Sequence, residues 1–104
     1  MPALKAALLA ELRSLDGLEA LPSPVAGGTA LFYRGKEFAH FHNDNELDLR
    51  LTAKVIRSLG LVHPPGSVHH RTRSPSSPWI ELRFHDAADV AEVARLVRLA
   101  VAQR

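Results

Sequence analysis

Hydrophobic and polar positions fall into two periods along this chain. Leu4, Leu8, Leu12 and Leu15 recur at steps of four, four and three, with Lys5, Glu11 and Arg13 off the stripe. That spacing predicts an amphipathic helix, closed by Asp16-Gly17. Pro22 and Pro24 break any helix, and Gly27-Gly28 reads as a linker. Thr29 to Tyr33 is apolar and β-prone, and Arg34-Gly35-Lys36 reads as a turn. Glu37-Phe38-Ala39-His40-Phe41-His42 and Leu47-Asp48-Leu49-Arg50-Leu51 then alternate with period two, the pattern of half-buried strands. Asn43-Asp44-Asn45 between them predicts a hairpin with a three-residue loop. In that register His42 faces Glu46, Phe41 faces Leu47, His40 faces Asp48, Ala39 faces Leu49 and Phe38 faces Arg50. One face then carries Phe41, Leu47, Ala39 and Leu49. The other carries His42, Glu46, His40, Asp48, Phe38 and Arg50. A slip of one residue would mix the two sets.

Thr52 is placed to cap a short helix over Ala53 to Leu59, with Gly60 stopping it. His63 to Pro78 holds four of the seven prolines and reads as a long loop with a short edge strand near Val68. Trp79 to Phe84 alternates again, Ile80, Leu82 and Phe84 against a wet Glu81 and Arg83. Asp86 caps a last helix, with Asp89 in its first turn and Val90, Val93, Ala94, Val97 and Val101 as its buried stripe. The order is α-β-β-β-α-β-α. This predicts one α+β domain over residues 1–104, a mainly antiparallel sheet of about four strands with helices on one face. The other face, bearing Phe38 and Trp79, is left partly open as a surface for a ligand or a second copy.

Composition changes this picture little. The 104 residues suffice for one core without staples. The chain has no cysteine, which removes disulfides and thiolate metal sites and fits a cytoplasmic protein. No stretch is apolar enough to span a membrane. Met1 to Leu15 has charges inside its apolar pattern and reads as a helix, not a signal peptide. A net charge of +2 does not argue for nucleic acid. His69, His70, Arg71 and Arg73 make a small basic cluster, but without aromatic residues for base stacking it reads as a solvated loop. The six histidines matter more, since each can titrate near neutral pH.

His40 and His42 project from one strand face. With His63 and Asp48 such a pair can hold a divalent ion, but spacing alone does not supply the geometry, and no metal or other cofactor is assigned from the sequence. His40 opposite Asp48 also matches a base with an orienting carboxylate. The bland counterpart is a cross-strand pair worth a few tenths to about 1 kcal/mol. There is no serine or cysteine nucleophile motif and no phosphate-cradling glycine loop. Trp79 is read as lining a ligand pocket, a dimer contact or the rim of the sheet.

The run Gly35-Lys36-Glu37-Phe38-Ala39-His40-Phe41-His42, then Leu47-Asp48-Leu49, Gly60, His63-Pro64 and Trp79 before a strand and a C-terminal helix, resembles the bacterial and fungal domain family named after the luciferase of bioluminescent mushrooms. The resemblance spans roughly Tyr33 to Ala100. It implies chemistry like that of the fungal enzyme, which oxidises a hydroxylated pyrone with molecular oxygen and no known metal or organic cofactor. It also implies that Glu37, His40, His42, Asp48 and His63 are the functional positions. Leu61 stands where the family often has an aromatic residue, and the 63–78 segment differs from the fungal one, which points away from light emission. The resulting expectation is a small-molecule-binding domain with acid–base or oxygen-dependent chemistry. Its catalytic residues would be His40, Asp48 and His63, with Glu37, His42, Arg50 and Trp79 binding substrate. The alternative is a non-enzymatic module whose open sheet face forms a homodimer or docks a partner.

Overall fold

The leucine stripe folds as a helix that ends sooner than expected, at Leu12, with Leu15 in the turn beyond it. In the computed structural model, which describes residues 3–22, 28–62 and 77–103, helix α1 spans Ala3–Leu12 and buries Leu8 and Leu12. Helix α3, Ala87–Ala102, packs against it and buries Val90, Val93, Ala94, Leu96, Val97 and Ala100. Asp86 caps α3 by accepting from the Asp89 amide at 2.8 Å, and Asp89 accepts from the His85 amide at 3.0 Å. The first bond satisfies an orphan amide of the first turn, and the second ties the residue before the cap back onto the helix. No helix of the described residues is long and apolar enough to cross a membrane.

Five antiparallel strands form one sheet in chain order, β1 to β5: Leu18–Pro22, Thr29–Tyr33, Lys36–Asn43, Glu46–Arg50 and Trp79–Arg83. The expected count was about four; β1 is the addition. By sequence alone Pro22 signals only a helix break. At the end of an edge strand it needs no ladder donor, so proline is tolerated there. Between β2 and β3 the turn is Arg34-Gly35, with φ of 50° and 84°. Two consecutive positive φ values mark the tight turn whose twist suits a hairpin, and Gly35 adopts its share without strain. Helix α2, Ala53–Ser58, follows β4. Thr52 Oγ1 accepts from the Val55 amide at 3.1 Å. At its other end the amides of Gly60 and Leu61 donate to the carbonyls of Arg57 and Ile56, the paired closure that a left-handed residue permits.

One sheet face and the helices enclose the core: Leu31, Ala39, Phe41, Leu47, Leu49 and Ile80 meet Leu8, Leu12 and the apolar stripe of α3. Two departures from the expected hairpin matter. Leu31 pairs with Ala39 while Phe32 pairs with Glu37, so Phe38 is an extra residue, a β-bulge. Phe38 is fully buried in the core, not on the open face where strict alternation put it. At the hairpin tip Asn43, not His42, pairs with Glu46. The loop is therefore the two residues Asp44-Asn45, with a second irregularity at His42. Asn43 Oδ1 accepts from the Asn45 amide at 2.7 Å, a side-chain-closed turn that stabilises this tip.

Candidate functional site

Register builds the site row by row. His40 pairs with Asp48 on β4, and Asp48 pairs with Glu81 on β5. Because strands alternate, Glu46, Asp48 and Arg50 share the face of His40 with Trp79, Glu81 and Arg83. The helices cover the opposite face. Strand β5 is pinned to the hairpin tip by two bonds: Phe84 N donates to the Asn45 carbonyl at 2.9 Å, and Asn45 Nδ2 donates to the Phe84 carbonyl at 3.0 Å.

On this face the side chains form a continuous polar chain. Arg83 Nε donates to Glu46 Oε1 at 2.9 Å. The other Glu46 oxygen, Oε2, lies 2.7 Å from His42 Nδ1. A carboxylate can only accept, so Nδ1 donates in this contact, and the other ring nitrogen, Nε2, is turned toward Asp48. His42 Nε2 lies 3.6 Å from Asp48 Oδ2, and His40 Nε2 lies 3.4 Å from the same oxygen. The His40 ring is 5.1 Å from that of His42 and 5.6 Å from that of Trp79, centre to centre. Burial by itself would raise the Glu46 carboxyl. The hydrogen bonds and charges of His42 and Arg83 outweigh it and hold the group below its ordinary value of 4.5.

This face is drier at its centre than a wet strand face. Glu46, Asp48 and Glu81 are 5 %, 1 % and 2 % exposed. The His42 side chain is 4 % exposed and that of His40 is 21 %. His40 is thus the histidine of the pair that meets solvent, backed by a buried carboxylate and flanked by an indole.

Among the expected site residues, the fold brings together His40, His42, Asp48 and Trp79. Arg50 is exposed in the next row, opposite Trp79, and borders a shallow hollow with Thr52, Pro78 and Gln103. Glu37 is half-buried opposite Phe32 on β2, beyond the bulge and away from the histidines. His63 lies outside the described residues, as do the edge strand expected near Val68 and the basic cluster His69, His70, Arg71 and Arg73. Sequence puts Glu46 on the histidine face without a role in the site, and leaves Glu81 and Arg83 as wet residues of a separate strand. Their parity within each strand was visible, but the register of β5 against β4 was not.

His40, His42 and Asp48 each offer one ligating atom, and the three atoms lie within 4.8 Å of one another. The group can therefore exchange a proton at His40 or hold a small cation. The sequence model of the luciferase domain family matches residues 35–100, more than half of the chain and the stretch that contains every strand of this cluster. Comparison with curated proteins and with solved structures returned no match.

Proposed function

The chain belongs to the luciferase domain family, and from that premise we propose that the outer sheet face binds a small organic molecule and acts on it by acid–base chemistry, or by an oxygen-dependent reaction begun by proton removal. The observation that carries this reading is the setting of His40. Its Nε2 lies 3.4 Å from the buried Asp48 carboxylate while its ring keeps contact with solvent and with Trp79. At that distance the carboxylate acts through its charge, stabilising the imidazolium formed when the ring takes a proton. Trp79 supplies a flat apolar wall for a planar ligand. Arg50, one row away, offers a cation to an anionic substituent. Glu37 and His63 enter through the family motif.

The test is a thermal-shift screen of the wild type beside His40→Ala with small aromatic and lactone compounds. A ligand at a hundred times its Kd stabilises the native state by about 2.7 kcal/mol, which for a domain of this size moves the midpoint by about 10 °C or more. A shift confined to the wild type supports the reading. Equal shifts in both proteins would place the ligand elsewhere. If no compound moves the midpoint and the molecular mass rises with concentration in a way that Trp79→Ala abolishes, the face is a dimer interface instead.

A further inference from the structure

We propose that His40, His42 and Asp48 form a binding site for a single divalent transition-metal ion. This rests on reading the outer face as the functional site, but not on the organic ligand. The carrying observation is the spacing of the three donors. His40 Nε2 and His42 Nε2 approach one oxygen, Asp48 Oδ2, at 3.4 and 3.6 Å. Charge-assisted N–H···O bonds measure about 2.7–2.9 Å, so these are long for proton-sharing contacts. Ligands placed about 2.0–2.1 Å from a tetrahedral ion are separated from each other by about 3.3–3.5 Å. Two of the three separations therefore match edges of a coordination shell, and the three donor atoms all lie within 4.8 Å of one another, so that a rotation of the part-exposed His40 ring toward His42 would close it.

The surroundings of His42 fit the same reading. Glu46 Oε2 accepts a hydrogen bond from Nδ1–H at 2.7 Å, which turns Nε2 toward Asp48 as the atom that would ligate. Arg83 fixes the other Glu46 oxygen at 2.9 Å. A carboxylate behind a ligating histidine, itself hydrogen-bonded, is the usual support of a metal-bound imidazole. His42 and Asp48 are nearly enclosed, while His40 leaves the site accessible past its ring and Trp79. Two imidazoles and a carboxylate suit zinc, iron(II) and their neighbours better than calcium or magnesium, which prefer oxygen ligands. Three protein donors leave coordination positions for water or for the organic ligand. The same donor set with open positions is the one non-haem iron(II) oxygenases use. All three donors come from a single hairpin, two residues apart on β3 and directly across on β4.

The experiment is titration of the metal-stripped full chain with Zn²⁺ by calorimetry and with Co²⁺ by visible absorption. One equivalent is expected to bind, with intense cobalt bands from a site of low coordination number. His40→Ala, His42→Ala and Asp48→Asn should each weaken binding a hundredfold or more. Glu46→Gln should weaken it about 10–100-fold as a positioning residue, and His85→Ala should not change it. Circular dichroism of each variant checks the fold; the part-exposed His40 keeps the test valid even where Asp48→Asn unfolds. Binding that survives both His40→Ala and Asp48→Asn would overturn the proposal, as would no binding at micromolar Zn²⁺. If zinc does not bind while organic compounds still shift the midpoint, the metal site falls and the ligand reading stands. Zinc bound at these residues with no organic ligand found would do the reverse.

Discussion

Replacing Phe38 by alanine tests the bulge that decides which side chains share the histidine face. Phe38 is fully buried. A buried phenylalanine removes about 150–250 Å² from water, and the part lost on truncation to alanine, about 100–150 Å² at 25 cal/mol per Å², amounts to about 2.5–4 kcal/mol. The cavity left behind brings the expected loss to about 3–5 kcal/mol. That is a large share of the roughly 5–15 kcal/mol that stabilises a small domain. The melting midpoint should fall by roughly 12–30 °C, and the urea midpoint by about 1–3 M. Urea unfolding followed by circular dichroism and by the fluorescence of Trp79, the single tryptophan, gives both numbers. Phe32→Ala is the control. Phe32 is half-buried and pairs with Glu37 outside the core cluster, so its loss should cost about 1 kcal/mol. If Phe38→Ala cost less than Phe32→Ala, Phe38 would lie on the histidine face, the strand would alternate without a bulge, and the site would contain a different set of residues.

Asp86→Ala removes the side chain that caps α3 and is expected to cost about 1 kcal/mol in urea unfolding, with no change in slope. Gly17 has φ of +86°, and a Cβ there would lie 3.1 Å from a Tyr33 ring carbon. Gly17→Ala should therefore lower stability by about 1 kcal/mol, and a neutral result would mean that this turn relaxes freely. The two Arg95 hydrogen bonds hold the Glu92 carboxyl below its ordinary 4.5, against a smaller opposing effect of burial. A lowered carboxyl adds stability above its unfolded value and loses it as pH falls through the folded one. The midpoint difference between wild type and Glu92→Gln should thus be small at neutral pH, shrink in high salt, and fade as pH falls from the ordinary carboxylate range through the lowered folded value.

Local signals were legible in the sequence, while long-range ones were legible only where a hairpin made them local. Thr52 and Asp86 were readable as caps because a cap needs only the next three residues. The pairs His40–Asp48, Phe41–Leu47 and Ala39–Leu49 were readable because a short turn joins the two strands. The period-two pattern failed at Phe38, since alternation assumes one residue per partner and a bulge breaks that count. It failed again at β1, where Leu18 and Ala20 give little contrast with Glu19 and Leu21. Glu81 and Arg83 were assigned to water because their type is usually exposed. Their real positions depend on how β5 lies against β4, which more than twenty intervening residues leave undetermined in sequence. Half of the site was therefore visible, the half that lies on one hairpin.

The stretch recognised as luciferase domain begins at Gly35, yet the physical body does not. Strand β3 is paired with β2 from Lys36 to His40, and Leu31, Leu8 and Leu12 belong to the same core cluster as Phe38 and Phe41. A fragment cut at the recognised boundary would bare the histidine-bearing strand as a sheet edge, open to pairing with any other chain. Inheritance and folding therefore have different borders here. A graft that moves this site into another protein must carry α1, β1 and β2 as well, although none of them lies within the matched span.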